Sequence, residues 1–83
     1  MIFYSNQASI FLKKADKVLV VRIVKKIESL SNEPVTHDTK VLSGYKEKLF
    51  RVRVGNYRIL YEVDHKSNII GIVKIDKRSK AYE

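Results

Sequence analysis

The chain has 83 residues and no cysteine, which suits one small domain, 1–83, and excludes disulfides and thiolate metal sites. Its hydrophobic share of 45% is that of a folding chain rather than a disordered one. The net charge of +8 is uneven. Residues 1–39 carry six basic and four acidic side chains, a net of +2, whereas residues 40–83 carry eleven and five, a net of +6. This asymmetry suits a nucleic acid or an acidic protein, although lysines alone would equally suit a solvated surface.

The first twelve residues contain no Lys or Arg and no signal-like apolar core. The most apolar run, residues 18–24, is broken by Arg22 and is too short to span a bilayer. A soluble cytoplasmic protein with no membrane partner is the expectation.

Residues 1–4 are apolar and predict a first strand. Ser5 or Asn6 can cap a helix in which Ala8, Phe11, Leu12 and Ala15 share one side, with Lys13 and Lys14 outside. Asp16 can cap a second helix from about residue 17 to 30. Its core stripe is Leu19 or Val20, Ile23, Val24, Ile27 and Leu30. Val18 and Val21 exceed what one stripe needs, so they predict a wide contact with the other helix and the sheet; an exposed groove for a partner helix is the alternative. Ser31, Asn32, Glu33 and Pro34 stop the helix. A polar loop then runs through Lys40, and Leu42, Ser43 and Gly44 lead onward.

Residues 49–61 alternate with period two on both sides of Gly55 and Asn56, the signature of a β-hairpin with a two-residue turn. Folding about that turn sets Val54 opposite Tyr57, Arg53 opposite Arg58, and Val52 opposite Ile59. Phe50, Val52, Val54, Tyr57, Ile59 and Tyr61 then share one face, and Arg51, Arg53 and Arg58 the other. Like charges directly opposite each other destabilise a sheet, so three guanidinium groups on one patch call for an anion such as a phosphate chain. Glu62, next along this face, is expected to neutralise them in part. Residues 64–68 predict a turn, 69–75 a last strand, and 76–83 a basic tail. The expected fold is α+β, a small antiparallel four-stranded sheet in the order β-α-α-β-β-β. The helical hairpin packs on one face, the arginine face stays open, and the second strand runs antiparallel to the first.

Hydrolase chemistry of the common kinds is scarce. His37 and His65 fall in predicted turns without partners at metal-ligand spacing, so no metal or other cofactor is expected. Three glycines, at 44, 55 and 71, are too far apart for a phosphate loop. What remains is Arg51, Arg53 and Arg58, followed by Lys77, Arg78, Lys80 and Tyr82. Such a set can cleave RNA without a metal, because RNA carries its own nucleophile in the 2′-hydroxyl. Guanidinium groups neutralise the charge that grows on phosphorus. A tyrosine can act as base, or stack on an unpaired base and splay the backbone. The structural alternatives are a frayed or edge-packed Tyr82, a solvated tail, and arginines paired with Glu47, Glu62 or the C-terminal carboxylate.

These residues carry a resemblance to RelE-type toxins of the RelE/ParE toxin–antitoxin superfamily, and it covers nearly the whole chain. The helix with Phe11, Leu12, Lys13 and Lys14 takes part, as do Asn32, Glu33 and Pro34 and the lead-in from Lys40 to Gly44. The most specific part is the basic–turn–Tyr57-Arg58–aliphatic–Tyr61 hairpin. Lys77 and Arg78, with Tyr82 four residues on, complete it. The resemblance implies a metal-independent endoribonuclease that enters the ribosomal A site and cuts mRNA by 2′-hydroxyl attack. It implies phosphate binding by Arg51 and Arg53 and catalysis by Arg58, Arg78 and Tyr82; Lys77 and Lys80 are added as phosphate-binding candidates from the residues themselves. Its implied partners are the ribosome, mRNA and a cognate RelB-like antitoxin, with a toxin–antitoxin heterotetramer as one assembly. Well-known relatives carry lysine at the two strand positions. Arginine does not lose a proton near neutral pH, which leaves either Tyr82 as the base or catalysis by orientation and charge alone, with Arg78 as charge stabiliser. A ParE-like inhibitor of DNA gyrase and a non-catalytic RNA-binding module are the alternatives.

Overall fold

The computed structural model describes residues 1–34, 39–42 and 49–77. Its elements are β1 (Ile2–Tyr4), α1 (Asn6–Lys14), α2 (Lys17–Asn32), β2 (Lys40–Leu42), β3 (Leu49–Val54), β4 (Tyr57–Asp64) and β5 (Ile69–Lys77). Both helices start on side-chain caps. The Ser5 hydroxyl accepts from the Ala8 amide at 3.1 Å, and the Asp16 carboxylate accepts from the Leu19 amide at 3.0 Å.

The five strands form one sheet in the order β1-β5-β4-β3-β2. The α+β class is as expected, but two details differ. First, residues 40–42 form an added edge strand antiparallel to β3, where a loop was expected. Second, β1 pairs with β5 in parallel, so the sheet is mixed. Both follow from the path of the helices. The chain leaves β1 at one edge and crosses one face through α1 and α2. It re-enters the sheet at the opposite edge. The extra strand reverses direction once more, so β3 runs with β1 rather than against it.

The hairpin register is the expected one: Val54 opposite Tyr57, Arg53 opposite Arg58, Val52 opposite Ile59. Gly55 alone in this turn has a positive φ, +58°, as a type II′ turn requires of its first central residue. The register of β4 on β5 shifts between Leu60 and Tyr61, which leaves Val73 as the extra residue of a bulge. The bulge lets Ile72 and Ile75, three residues apart, face the same side.

That side holds the core. Ala8, Ile23, Ile27 and Leu30 of the helices close over Val52, Ile59, Tyr61, Ile72 and Ile75 of the sheet, all of them at most 1% exposed. Full burial stabilises each large aliphatic side chain by roughly 1.5–3 kcal/mol relative to exposure. Among the described residues no charged side chain is buried. Tyr61, stacked on Phe50, donates its hydroxyl to the Pro34 carbonyl and also meets the Thr39 hydroxyl. One side chain therefore ties the end of α2 and the approach to β2 onto the sheet. Beyond β1 the edge of β5 is closed by Gln7, whose amide donates to the Ile75 carbonyl at 2.8 Å and accepts from the Ile75 amide at 2.9 Å.

Val18 and Val21 are 71% and 59% exposed, so the expected wide helical contact is not formed. Ile23, Ile27 and Leu30 suffice to cover the sheet. This leaves the first turns of α2 with an apolar outer side.

Candidate functional site

Side-chain alternation places the arginines on the face away from the helices, and the strand register arranges them in two rows. Lys40, Arg51, Leu60 and Lys74 lie side by side across β2, β3, β4 and β5. The next row is Arg53, Arg58 and Asp76. Neighbouring strands lie about 4.8 Å apart, so these charges crowd one another. Among the described residues these two rows hold five cations and one carboxylate.

The carboxylate is Asp76. The Arg58 Nε donates to its Oδ1 at 2.8 Å, and Arg58 Nη2 approaches Oδ2 at 3.5 Å. Lys74 Nζ stands 3.6 Å from the same Oδ2. The fork fixes the plane of the Arg58 guanidinium, whose side chain is only 15% exposed. Arg53, directly opposite Arg58, shows the contrast. Its Nε is buried and has no hydrogen-bond partner among the described residues.

The partner of Arg58 is thus Asp76 and not the expected Glu62. Glu62 lies four residues further along β4, roughly 13 Å away at the rise of a strand. Its carboxyl lies over Gly71, where an added Cβ would come within 3.2 Å of Oε2. Asp76 lies in β5, which runs to Lys77, two residues beyond the expected strand end at Ile75. Continuing the alternation of β5 by one step sets residue 76 opposite Arg58, and that signal was available in the sequence.

The other candidate residues divide. Lys77 pairs with Tyr57, so it belongs to the helix side of the sheet and not to the arginine face. Arg78, Lys80 and Tyr82 lie outside the described residues, as does His37. His65 is exposed in the turn after β4. Among the described residues no group of three or more His, Asp or Glu side chains could hold a metal. Nor is any described helix long and apolar enough to cross a membrane.

A family model described as the ParE toxin of the type II toxin–antitoxin system parDE matches residues 2–82. The chain belongs to this family. The toxin is of RelE type by its solved relatives. It is 30% identical to a chain of the archaeal RelE–RelB complex from Pyrococcus horikoshii, with 96% of each chain covered and a TM-score of 0.83. It is 26% identical to a chain of the RelBE2 toxin–antitoxin complex from Mycobacterium tuberculosis, with 94% of this toxin and 96% of that chain covered and a TM-score of 0.80. The isolated Escherichia coli RelE toxin shares the fold at 15% identity, with a TM-score of 0.82 over 99% of this toxin and 87% of that chain. Comparison with curated protein sequences gives no match.

Proposed function

We propose that this toxin is a ribosome-dependent, metal-independent mRNA endonuclease that inhibits translation. The observation that carries this reading is the opposition of Arg53 and Arg58 on the open face, flanked by Arg51 and Lys40. A fold gains nothing by facing two guanidinium groups across a strand pair. A phosphate placed between them removes the repulsion and is held by planar, multidentate donors.

In this mechanism Arg51 and Arg53 bind the phosphates that flank the scissile bond. Arg58, oriented by Asp76, meets the non-bridging oxygens of the scissile phosphate and stabilises the charge that develops as the 2′-hydroxyl attacks. Arg78 adds a second positive charge there. Tyr82 takes the 2′-hydroxyl proton or stacks on the adjacent base. Lys80 contributes to phosphate binding from beyond the sheet. Lys77, turned to the other side, is left to longer-range attraction. None of the arginines can act as base at neutral pH, so the ribosome supplies much of the substrate geometry. The cytoplasm, where translating ribosomes are, is the site of action.

Such an enzyme requires restraint, and the reading includes a RelB-like antitoxin. The RelE chains from P. horikoshii and M. tuberculosis were solved as complexes with such partners. The exposed Val18 and Val21 on α2 are its proposed apolar contacts on this toxin.

The ParE name of the family gives the gyrase reading a footing, and one experiment separates the two. Purified toxin is incubated with programmed ribosomes and, separately, with gyrase and supercoiled DNA. Message cut within the A-site codon is the expected result. Intact message together with inhibited supercoiling would replace the nuclease reading by the inhibitor.

A further inference from the structure

The open face continues beyond the arginine rows. Past the row of Leu60 and Lys74 lie Glu62, Gly71 and Phe3, side by side across β4, β5 and β1. A groove of about 280 Å³ opens here, and its lining includes Phe3, Glu62, Gly71 and Val73. Gly71 shapes it. A Cβ at that position would stand 3.2 Å from Oε2 of Glu62 and 3.3 Å from its Cγ. The bare backbone thus lets the Glu62 side chain lie across β5, in the direction of the strand that carries Phe3. Phe3 is 52% exposed, and Val73, the extra residue of the bulge, is 37% exposed. An exposed carboxylate and an exposed aromatic ring therefore line one groove at the border of a cationic face.

That combination narrows the occupant. A phosphate is repelled by Glu62. A basic peptide that suited Glu62 would be repelled by the arginine rows. A ligand lying across both needs negative charge along its backbone, with flat side groups that carry neutral N–H donors. Single-stranded RNA has this distribution. The row of Glu62 lies roughly 7 Å along the strands from that of Leu60 and Lys74. One nucleotide can bridge such a step between its phosphate and the edge of its base. Aromatic rings stack on unpaired bases, which are then read on their Watson–Crick edges. Guanine alone among the RNA bases offers two adjacent N–H donors there, N1–H and N2–H, and these match the two oxygens of a carboxylate. Adenine and cytosine set a bare ring nitrogen beside the amino group, and uracil flanks its N–H with carbonyls. Each turns a lone pair towards a carboxylate.

We infer that this groove is a base-specific site, which holds an unpaired guanine of the bound RNA stacked on Phe3, with N1–H and N2–H donating to the Glu62 carboxylate. The inference rests on the reading of the arginine face as an RNA surface and gives that surface a sequence preference. The arginines hold phosphates whatever the sequence, and Glu62 selects the base.

The test measures binding by the full chain, without ribosomes. The probes are 2′-O-methyl RNA pentanucleotides, which lack the nucleophile and cannot be cut. All are adenine except at the central position, which is guanine, hypoxanthine or adenine. The parent should bind the guanine strand about tenfold more tightly than the adenine strand. Hypoxanthine, which keeps N1–H and lacks the N2 amino group, should fall between them. Glu62→Gln should bind the adenine strand no less tightly than the parent does and lose most of the preference. Phe3→Leu keeps an apolar side chain without the ring, and should bind every strand roughly fivefold or more weakly while still preferring guanine. Equal parental affinity for guanine and adenine strands would overturn the inference and leave the arginine face standing. So would an undiminished preference in Glu62→Gln. A parent that binds none of the strands would overturn both readings together. Unchanged RNA binding in Phe3→Leu, with weaker capture of the antitoxin, would replace the base by a protein in this groove.

Discussion

Val52 and Arg53 are neighbours in sequence and live in opposite chemical worlds. Val52 is fully buried beneath the helices among aliphatic side chains. Arg53 stands on the open side, opposite another arginine. Strand alternation alone makes the division, and it separates stability from function in space. The helix side has what a fold wants, apolar surfaces that exclude water. The open side has what a fold avoids, clustered like charge, with the Asp76 carboxylate set against Arg58 and Lys74. A residue that weakens the molecule while equipping it for a ligand marks the site more clearly than a residue that does both.

The comparison breaks most easily on the helix side. Ile59→Ala, at the centre of β4, removes a side chain with no exposed surface. The expected loss is about 2–5 kcal/mol, read as a fall in the thermal or denaturant midpoint. A loss below about 1 kcal/mol would mean that the helices do not close over the hairpin.

On the open side the order of effects reverses. Arg58→Ala should slow message cleavage by roughly 100- to 1000-fold, the scale of losing one donor to a developing oxyanion. Ribosome binding should change much less. Arg58→Lys sharpens the point, because it keeps the charge and loses the fork with Asp76. If lysine restores most of the rate, charge alone matters and the orienting role of Asp76 is wrong. If Arg58→Ala cuts at the parental rate, the arginine rows are not the site.

The outer side of α2 lies between these extremes, apolar but uncovered. Val18→Glu with Val21→Glu should change stability by no more than about 0.5 kcal/mol, since both side chains are already in solvent. The same pair should weaken capture of the cognate antitoxin at least tenfold in a titration. Unchanged affinity would move the antitoxin contact elsewhere.

The hairpin was legible in the sequence because period two fixes faces and Gly55-Asn56 fixes the register. The helices were legible from Ser5 and Asp16 as caps and from the spacing of Ile23, Ile27 and Leu30. The edge strand β2 was not. Three residues, Lys40, Val41 and Leu42, are too few to establish an alternation, and their pairing depends on β3 rather than on local preference. The parallel seating of β1 is likewise a property of the chain path and not of residues 2–4. Val18 and Val21 could be read either way in the sequence, because hydrophobicity signals that a surface will be covered without saying by which chain. The site itself was half legible. Alternation displays the arginines, but the partner of Arg58 comes from β5, eighteen residues away, and only the sheet brings it there.

The smallest effect probes the rim of the helix side. Tyr4 pairs with Ile72, so it belongs to that side, at its edge. Burial, and then the nearby Glu28 carboxylate, push its hydroxyl above the ordinary tyrosine value of 10.0. The neutral form is thus favoured in the folded state. Between the ordinary and the raised value the folded chain binds more protons at Tyr4 than the unfolded chain does. Its contribution to stability is therefore complete below pH 10 and is lost as pH rises through the raised value. Tyr4→Phe should make the alkaline decline in stability shallower while leaving stability near neutral pH little changed. Identical alkaline slopes in parent and variant would show that the rim is as tolerant of charge as the open face. The division between the two sides would then end at the core residues instead of extending to the sheet edge.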